Sequence, residues 1–285
     1  DIVLDLIDNY IDGFHNSYEW GYSIPYFLAG SHSAHVNNIS YLSAKAGIAS
    51  RDINFLLNRL DPVERKRYDY SLLEKTYLDY QNTHCEDDSA IASLQNALSG
   101  KDILVLLPGH TIKTCQGQIQ HFYKEKNPIV ISVNLLTDCY PIDFAYFSNK
   151  NRYQYWRNEA AFNKCKKIVT SNVTTRKDDN LFIIDFLRLV KCGWEQLDNS
   201  GVLLLRLLDL MNVNSISIAG FDGYSHNSEN PNYVEKAMEK TRNTLNAEEA
   251  NKDIKSMLVD YKNTRKSSCP ISFITPSYFE TVMDE

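Results

Sequence analysis

The sequence predicts an α/β protein: a doubly wound, mainly parallel sheet preceded by an all-helical segment. Three observations carry this. From Gly100 onward, short apolar runs alternate with helical stretches. Before Gly100, apolar residues recur at helical spacing and no run reads as a strand. The charge divides at the same place: residues 1–99 hold 7 Lys/Arg against 14 Asp/Glu, and residues 100–285 hold 23 against 22.

In the first segment, Ile2 to Ile11 repeats apolar residues every three or four positions, the period of a helix face. Pro25 places the aromatic stretch Tyr22 to Leu28 in a first helical turn. A helix from Asn37 to Ala46 stops at Gly47, and Ser50 caps the next one, Arg51 to Arg59. Asp61-Pro62 opens another. Ser71 to Tyr80 and Ala90 to Leu98 complete the segment.

Beyond Gly100 the expected strands are Ile103–Leu107, Ile129–Val133, Phe144–Phe147, Lys167–Thr170, Leu181–Ile184, Ser215–Ala219 and Ile271–Ile274. Expected helices run from Thr111 to Lys126, Tyr153 to Asn163, Gly201 to Met211 and Tyr233 to Tyr261. Uniformly apolar strands between helices mean a parallel sheet covered on both faces. The architecture is Rossmann-like, and ligands of such sheets sit beyond the carboxyl ends of the strands. Those ends are polar here: Pro108-Gly109-His110-Thr111, Asn134, Ser148-Asn149, Ser171-Asn172, Asp222-Gly223-Tyr224-Ser225 and Thr275-Pro276-Ser277.

Composition narrows the function. With 285 residues the chain is one large domain or two smaller ones. Its 43% hydrophobic and 23% charged residues exclude a disordered chain. A net charge of -6 and the lack of a basic stripe argue against a nucleic-acid partner. Cysteines 85, 115, 139, 165, 192 and 269 match no zinc spacing, so we read them as reduced thiols of a cytoplasmic protein. The apolar run Gly201 to Leu210 is broken by Arg206 and Asp209, and no membrane segment is expected. The chain opens on Asp1 in mid-pattern, which suggests a piece of a longer protein.

Several residues are candidates for a site. Gly109 permits a tight turn and close approach of a ligand. Thr111 caps the helix that follows or binds a phosphate oxygen at its N-terminus. The dinucleotide fingerprint and the Walker lysine pattern are both absent. Asn134 and Asn149 end neighbouring strands, where an amide reads a base or ribose edge or caps the next helix. Ser200 is placed to cap its helix, with Gly201 allowing a close neighbour. Asp222, Tyr224 and His226 follow the Ser215–Ala219 strand, and a His beside a carboxylate is a candidate general base. His110 is the other. His32 and His35 are three apart, but no Cys or carboxylate completes a metal site, so none is assigned.

Two resemblances add to this. Trp20-Gly21-Tyr22-Ser23-Ile24-Pro25-Tyr26-Phe27-Leu28-Ala29-Gly30, His35-Val36-Asn37-Asn38 and Asp52-Ile53-Asn54 resemble the helical region after the catalytic barrel in homologues of 4-hydroxy-2-oxovalerate aldolase, of the hydroxymethylglutaryl-CoA lyase-like superfamily. That family tends to have His-Pro-x-Tyr where this chain has His35-Val36-Asn37-Asn38. The resemblance implies an aldolase-like parent whose N-terminal barrel, with its divalent metal, lies outside these residues. This piece alone is then not an aldolase.

Residues 100–280 resemble the Rossmann-like fold of bacterial sialyltransferases and 6-hydroxymethylpterin diphosphokinase-like proteins. The resemblance rests on Gly100 to Gly109, Val133-Asn134, Phe147-Ser148-Asn149, Asn199-Ser200-Gly201-Val202 and Ile218-Ala219-Gly220-Phe221-Asp222-Gly223-Tyr224. It implies that Gly109, Thr111, Asn134, Asn149, Ser200 and Asp222 line a nucleotide pocket, for a nucleotide such as CMP. The sialyltransferase turn usually reads Gly-x-Gly-Pro-Ser, where this chain has Leu107-Pro108-Gly109-His110-Thr111. The catalytic His of those enzymes also lies further along than His226.

The functional expectation is therefore a nucleotide or another phosphorylated small molecule bound at the carboxyl edge. Two alternatives stand beside it. One is a nucleotide-sugar-dependent glycosyltransferase. The other is a non-catalytic oligomerisation or docking module for the barrel.

Overall fold

A computed structural model describes residues 84–174, 180–191, 193–194, 199–225, 232–234 and 247–284. The expected helices before His84, the His32/His35 pair and His226 lie outside the described residues.

All seven expected apolar runs are strands. They are β1 (Asp102–Leu106), β2 (Ile129–Val133), β3 (Phe144–Phe147), β4 (Lys166–Thr170), β5 (Leu181–Ile184), β6 (Ser215–Ala219) and β7 (Ile271–Phe273). They form one sheet in the order β5-β4-β3-β2-β1-β6-β7. Every neighbouring pair is parallel. The chain steps outward from β1 to β5, then returns to the other side of β1 to lay down β6 and β7. The order therefore reverses between β1 and β6, the position where doubly wound sheets open a crevice.

Among the described residues, helices lie between β1 and β2, β3 and β4, β5 and β6, and β6 and β7, and flank the sheet at both chain ends. They are α1 (Asp88–Leu98), α2 (Thr111–Thr114), α3 (Gln116–Lys126), α4 (Lys150–Trp156), α5 (Phe186–Leu189), α6 (Ser200–Asp209), α7 (Ala247–Thr264) and α8 (Glu280–Asp284). Right-handed crossovers put α3 and α4 on one face of the sheet and α7 on the other.

Burial explains the uninterrupted apolar strands. Ile103, Leu104, Val105 and Leu106 are each at most 1% exposed, because both faces of β1 are covered. Leu104 and Leu106 meet Ile112 of α2, Ile119 of α3 and Val130 of β2. Under α4, Leu135, Phe147, Trp156, Phe162 and Val169 make a second cluster. Each such side chain stabilises the fold by roughly 1.5–3 kcal/mol.

Four helices differ in detail from the sequence expectation. The helix expected over 111–126 is two, because Cys115 leaves helical geometry at φ -105° and ψ 23°. Thr111, Ile112, Thr114 and Gly117 are weak helix formers at that point. The helix expected over 153–163 begins earlier, at Lys150, and its tail is a separate 3₁₀ turn, Ala160–Lys164. Of the helix expected over 233–261, 247–261 is helical within α7 and 235–246 lie outside the described residues, while Tyr233 lies in a bend whose Val234 N–H donates to the Pro108 carbonyl at 2.9 Å. Finally, α1 packs with the sheet. Leu94 and Leu98 are fully buried, and Asp87 just before it accepts the Asp185 N–H and the Arg188 Nε–H, each at 2.9 Å.

The described cysteines 85, 115, 139, 165 and 269 are all free thiols. Among the described residues no helix is long and apolar enough to cross a membrane.

Candidate functional site

Beyond β1 and β6 the two chains continue side by side. Leu107 N–H donates to Ala219 O at 2.8 Å, and Gly109 N–H to Gly220 O at 2.9 Å. A Cβ on Gly109 would stand 2.6 Å from Asp222 Cγ and would also strike the Gly220 carbonyl. Glycine is therefore needed here so that two protein segments can approach each other.

Asp222 closes this junction. Its carboxylate accepts the Thr111 N–H at 2.8 Å and the Thr111 hydroxyl. Thr275 joins them: its Oγ1 lies 3.1 Å from Thr111 Oγ1 and accepts the Gly220 N–H at 3.0 Å. The helix start at Thr111, expected to hold a ligand anion, holds the protein's own carboxylate. Burial pushes the Asp222 carboxyl up, and the hydrogen bonds from Thr111 oppose that. Thr111 does not cap the helix through its own side chain.

A second polar group gathers beyond β2, β3 and β4. Asn134 has a left-handed backbone, φ 52°, and its carbonyl accepts the Trp156 Nε1–H at 3.1 Å. Its Nδ2 donates to Ser200 Oγ at 2.8 Å. Ser148 Oγ donates to the same oxygen at 2.7 Å. Asn172 Nδ2 reaches the Ser148 carbonyl at 3.3 Å. Asn134 Oδ1 and Asn172 Oδ1 are buried without a partner.

Two caps are settled here. Asn149 Oδ1 accepts the Arg152 N–H at 3.0 Å and starts α4. For α6 the cap is Asn199, which accepts from Gly201 N and Val202 N at 2.9 and 3.2 Å. Ser200 is thereby released from the capping role the sequence suggested. Gly201 links the two polar groups, since a Cβ there would lie 2.6 Å from Leu107 Cδ2 and 3.4 Å from Phe221 Cε1.

Aromatic rings line the same edge. The Tyr224 hydroxyl is 3.4 Å from that of Tyr233, and the Tyr224 backbone is held at both ends by Asn251 at 2.8 Å. The Arg152 guanidinium lies over the Tyr233 ring, 5.4 Å from its centroid. Arg152 is only 7% exposed. The other buried cation among the described residues, Lys167, stacks on Phe162 from the amino half of β4.

The structure thus brings Gly109, Thr111 and Asp222 into one junction, and Asn134 and Ser200 into a neighbouring network. Asn149 serves as a cap beside that network. His110 flanks Asp222, with Nδ1 buried and without a partner. Sequence reasoning missed Arg152 and Tyr233. Arg152 was in principle legible, because it lies one turn beyond the Asn149 cap. Tyr233 carries no local signal, since only the fold brings it over the edge. Among the described residues no group of three His, Cys, Asp or Glu side chains is placed to hold a metal ion.

A hollow of about 440 Å³ opens at the opposite, amino edge, beside Asp143, Phe144, Lys164 and Lys166. Its charges are turned toward protein groups. Asp143 accepts the Val130 N–H at 2.8 Å, Lys164 pairs with Asp138 at 3.3 Å, and Lys166 lies over the Phe144 ring.

Compared with known proteins, the chain matches no protein-family model and no curated sequence.

Proposed function

We propose that residues 100–285 form a small-molecule binding domain whose ligand is a nucleotide or another phosphorylated compound, held at the carboxyl edge of the sheet. The observation that carries this reading is the reversal of strand order between β1 and β6. At such a reversal the two crossovers leave toward opposite faces, and the strand ends face an open crevice. The residues beside it suit the ligand. Asn134, Ser148, Asn172 and Ser200 offer hydrogen bonds, while Tyr224 and Tyr233 offer rings. Asp222 already fills the helix start at Thr111 and would repel a phosphate there. The phosphate is therefore assigned to the side nearer Arg152, the buried cation of this edge.

Calorimetric titration of the 285-residue chain with CMP, CDP, UDP-sugars, ATP and NAD(P) tests this. Binding of at least one is the expected outcome. No binding at millimolar concentration across the panel contradicts it.

One observation favours a second reading, sugar transfer from a nucleotide donor. His110 directly precedes Thr111, whose N–H and hydroxyl bind Asp222, and a histidine beside such a junction is a candidate to take up a proton from an acceptor hydroxyl. Slow hydrolysis of a bound nucleotide-sugar, lost in His110→Ala, is its expected signature. Hydrolysis that survives the substitution removes His110 from that role.

A further inference from the structure

We propose that Ser200 and Asn134 act as a donor–acceptor pair that reads the edge of a nucleobase. This rests on the binding reading above and adds what the ligand must carry.

The argument starts from hydrogen-bond accounting. A serine hydroxyl has one proton and two lone pairs. Ser200 Oγ accepts from Asn134 Nδ2 at 2.8 Å and from Ser148 Oγ at 2.7 Å, which occupies both lone pairs. Its proton must point to a third group, and no described residue receives it. Ser200 is partly exposed, so that proton is open to a ligand.

Asn134 is the complement. The residue is 8% exposed, its Nδ2 is spent on Ser200, and its Oδ1 is buried without a partner. Buried acceptors are nearly always paired in folded proteins, so this one calls for a donor from outside. Because Asn134 donates to Ser200, its vacant oxygen stands beside the vacant serine proton.

A matching ligand needs an acceptor and a donor on adjacent atoms. The Watson–Crick edge of a nucleobase has them, and an ionised phosphate has no donor. The pair is also held in advance: Trp156 fixes the Asn134 carbonyl, and Ser148 fixes the Ser200 oxygen. Such pre-set geometry is what selective recognition requires.

The test compares CMP, UMP, AMP and GMP with ribose 5-phosphate, by calorimetry on the 285-residue chain. At least one nucleotide is expected to bind roughly 10-fold or more tightly than ribose 5-phosphate. Ser200→Ala, with its fold verified by circular dichroism, should remove most of that preference and leave ribose 5-phosphate binding unchanged. If Ser200→Ala does not fold, CMP against its 3-deaza analogue makes the same measurement on the native chain. Equal affinity for ribose 5-phosphate and every nucleotide overturns the base-reading pair while leaving the binding site standing. So does a preference that survives Ser200→Ala or the deaza replacement. Binding of neither class overturns the site itself and the pair with it.

Discussion

At Asp222, a carboxylate receives the Thr111 N–H at 2.8 Å and the Thr111 hydroxyl, against the cost of burial. Burial is the larger effect and raises its pKa. The folded chain then holds this proton more tightly than the unfolded chain. Its contribution favours folding at low pH and is lost as pH rises through the raised folded-state value. Asp102 behaves in the opposite way. Hydrogen bonds from Ser215 at 2.5 Å and Asn214 at 2.6 Å lower its pKa, so its contribution is present above the usual carboxyl range. That contribution disappears as pH falls through the lowered value. Urea unfolding between about pH 3 and 7 separates the two. Asp102→Asn should flatten the acid-side loss of stability, and Asp222→Asn should steepen it. Gly109 tests the same junction sterically. Gly109→Ala should cost about 1–3 kcal/mol by overpacking, read as a lower denaturation midpoint. An unchanged midpoint would mean that the two loops are free to separate. The glycine and the carboxylate were legible in the sequence as special positions. Their mutual contact was not, because it joins residues more than a hundred apart along the chain.

Among the described residues, the starts of α2, α4 and α6 at the carboxyl edge are closed from within, and this decides what the polar strand ends there do. Asn149 caps α4, Asn199 caps α6, and Asp222 serves α2. Asn149→Ala should therefore lower stability by about 1 kcal/mol while leaving ligand affinity within twofold. A loss of affinity without a loss of stability would return Asn149 to the ligand. The positions of the helices were well marked by periodicity and by glycine and proline. Cap identity was not, since Asn199 and Ser200 are adjacent residues of equally suitable type. Backbone geometry chooses between them: Asn199 is extended, φ -142° and ψ 121°, and Ser200 already lies inside the helix. The break at Cys115 escaped for a related reason. The apolar spacing continues through it, and only the local weakness of Thr114 and Gly117 hints at a stop.

For the molecule as a whole, the strands were the most legible feature. A buried parallel strand has no solvent face, so its sequence is a plain apolar run, as in Ile103-Leu104-Val105-Leu106. The packing of α1 on the sheet was not legible, because an amphipathic helix does not say which surface it covers. Strand order was not legible either, since it depends on where each crossover returns. Yet the reversal between β1 and β6 is what points the proposed site to the carboxyl edge, opposite the hollow beside Asp143. The most direct test of that placement is amide hydrogen exchange on the 285-residue chain, with and without the nucleotide that binds best. Binding at the carboxyl edge predicts added protection in residues 107–111, 134–136, 147–152 and 199–202, with none at 142–144 or 163–167. Protection confined to 142–144 and 163–167, or none anywhere at saturating nucleotide, would contradict it.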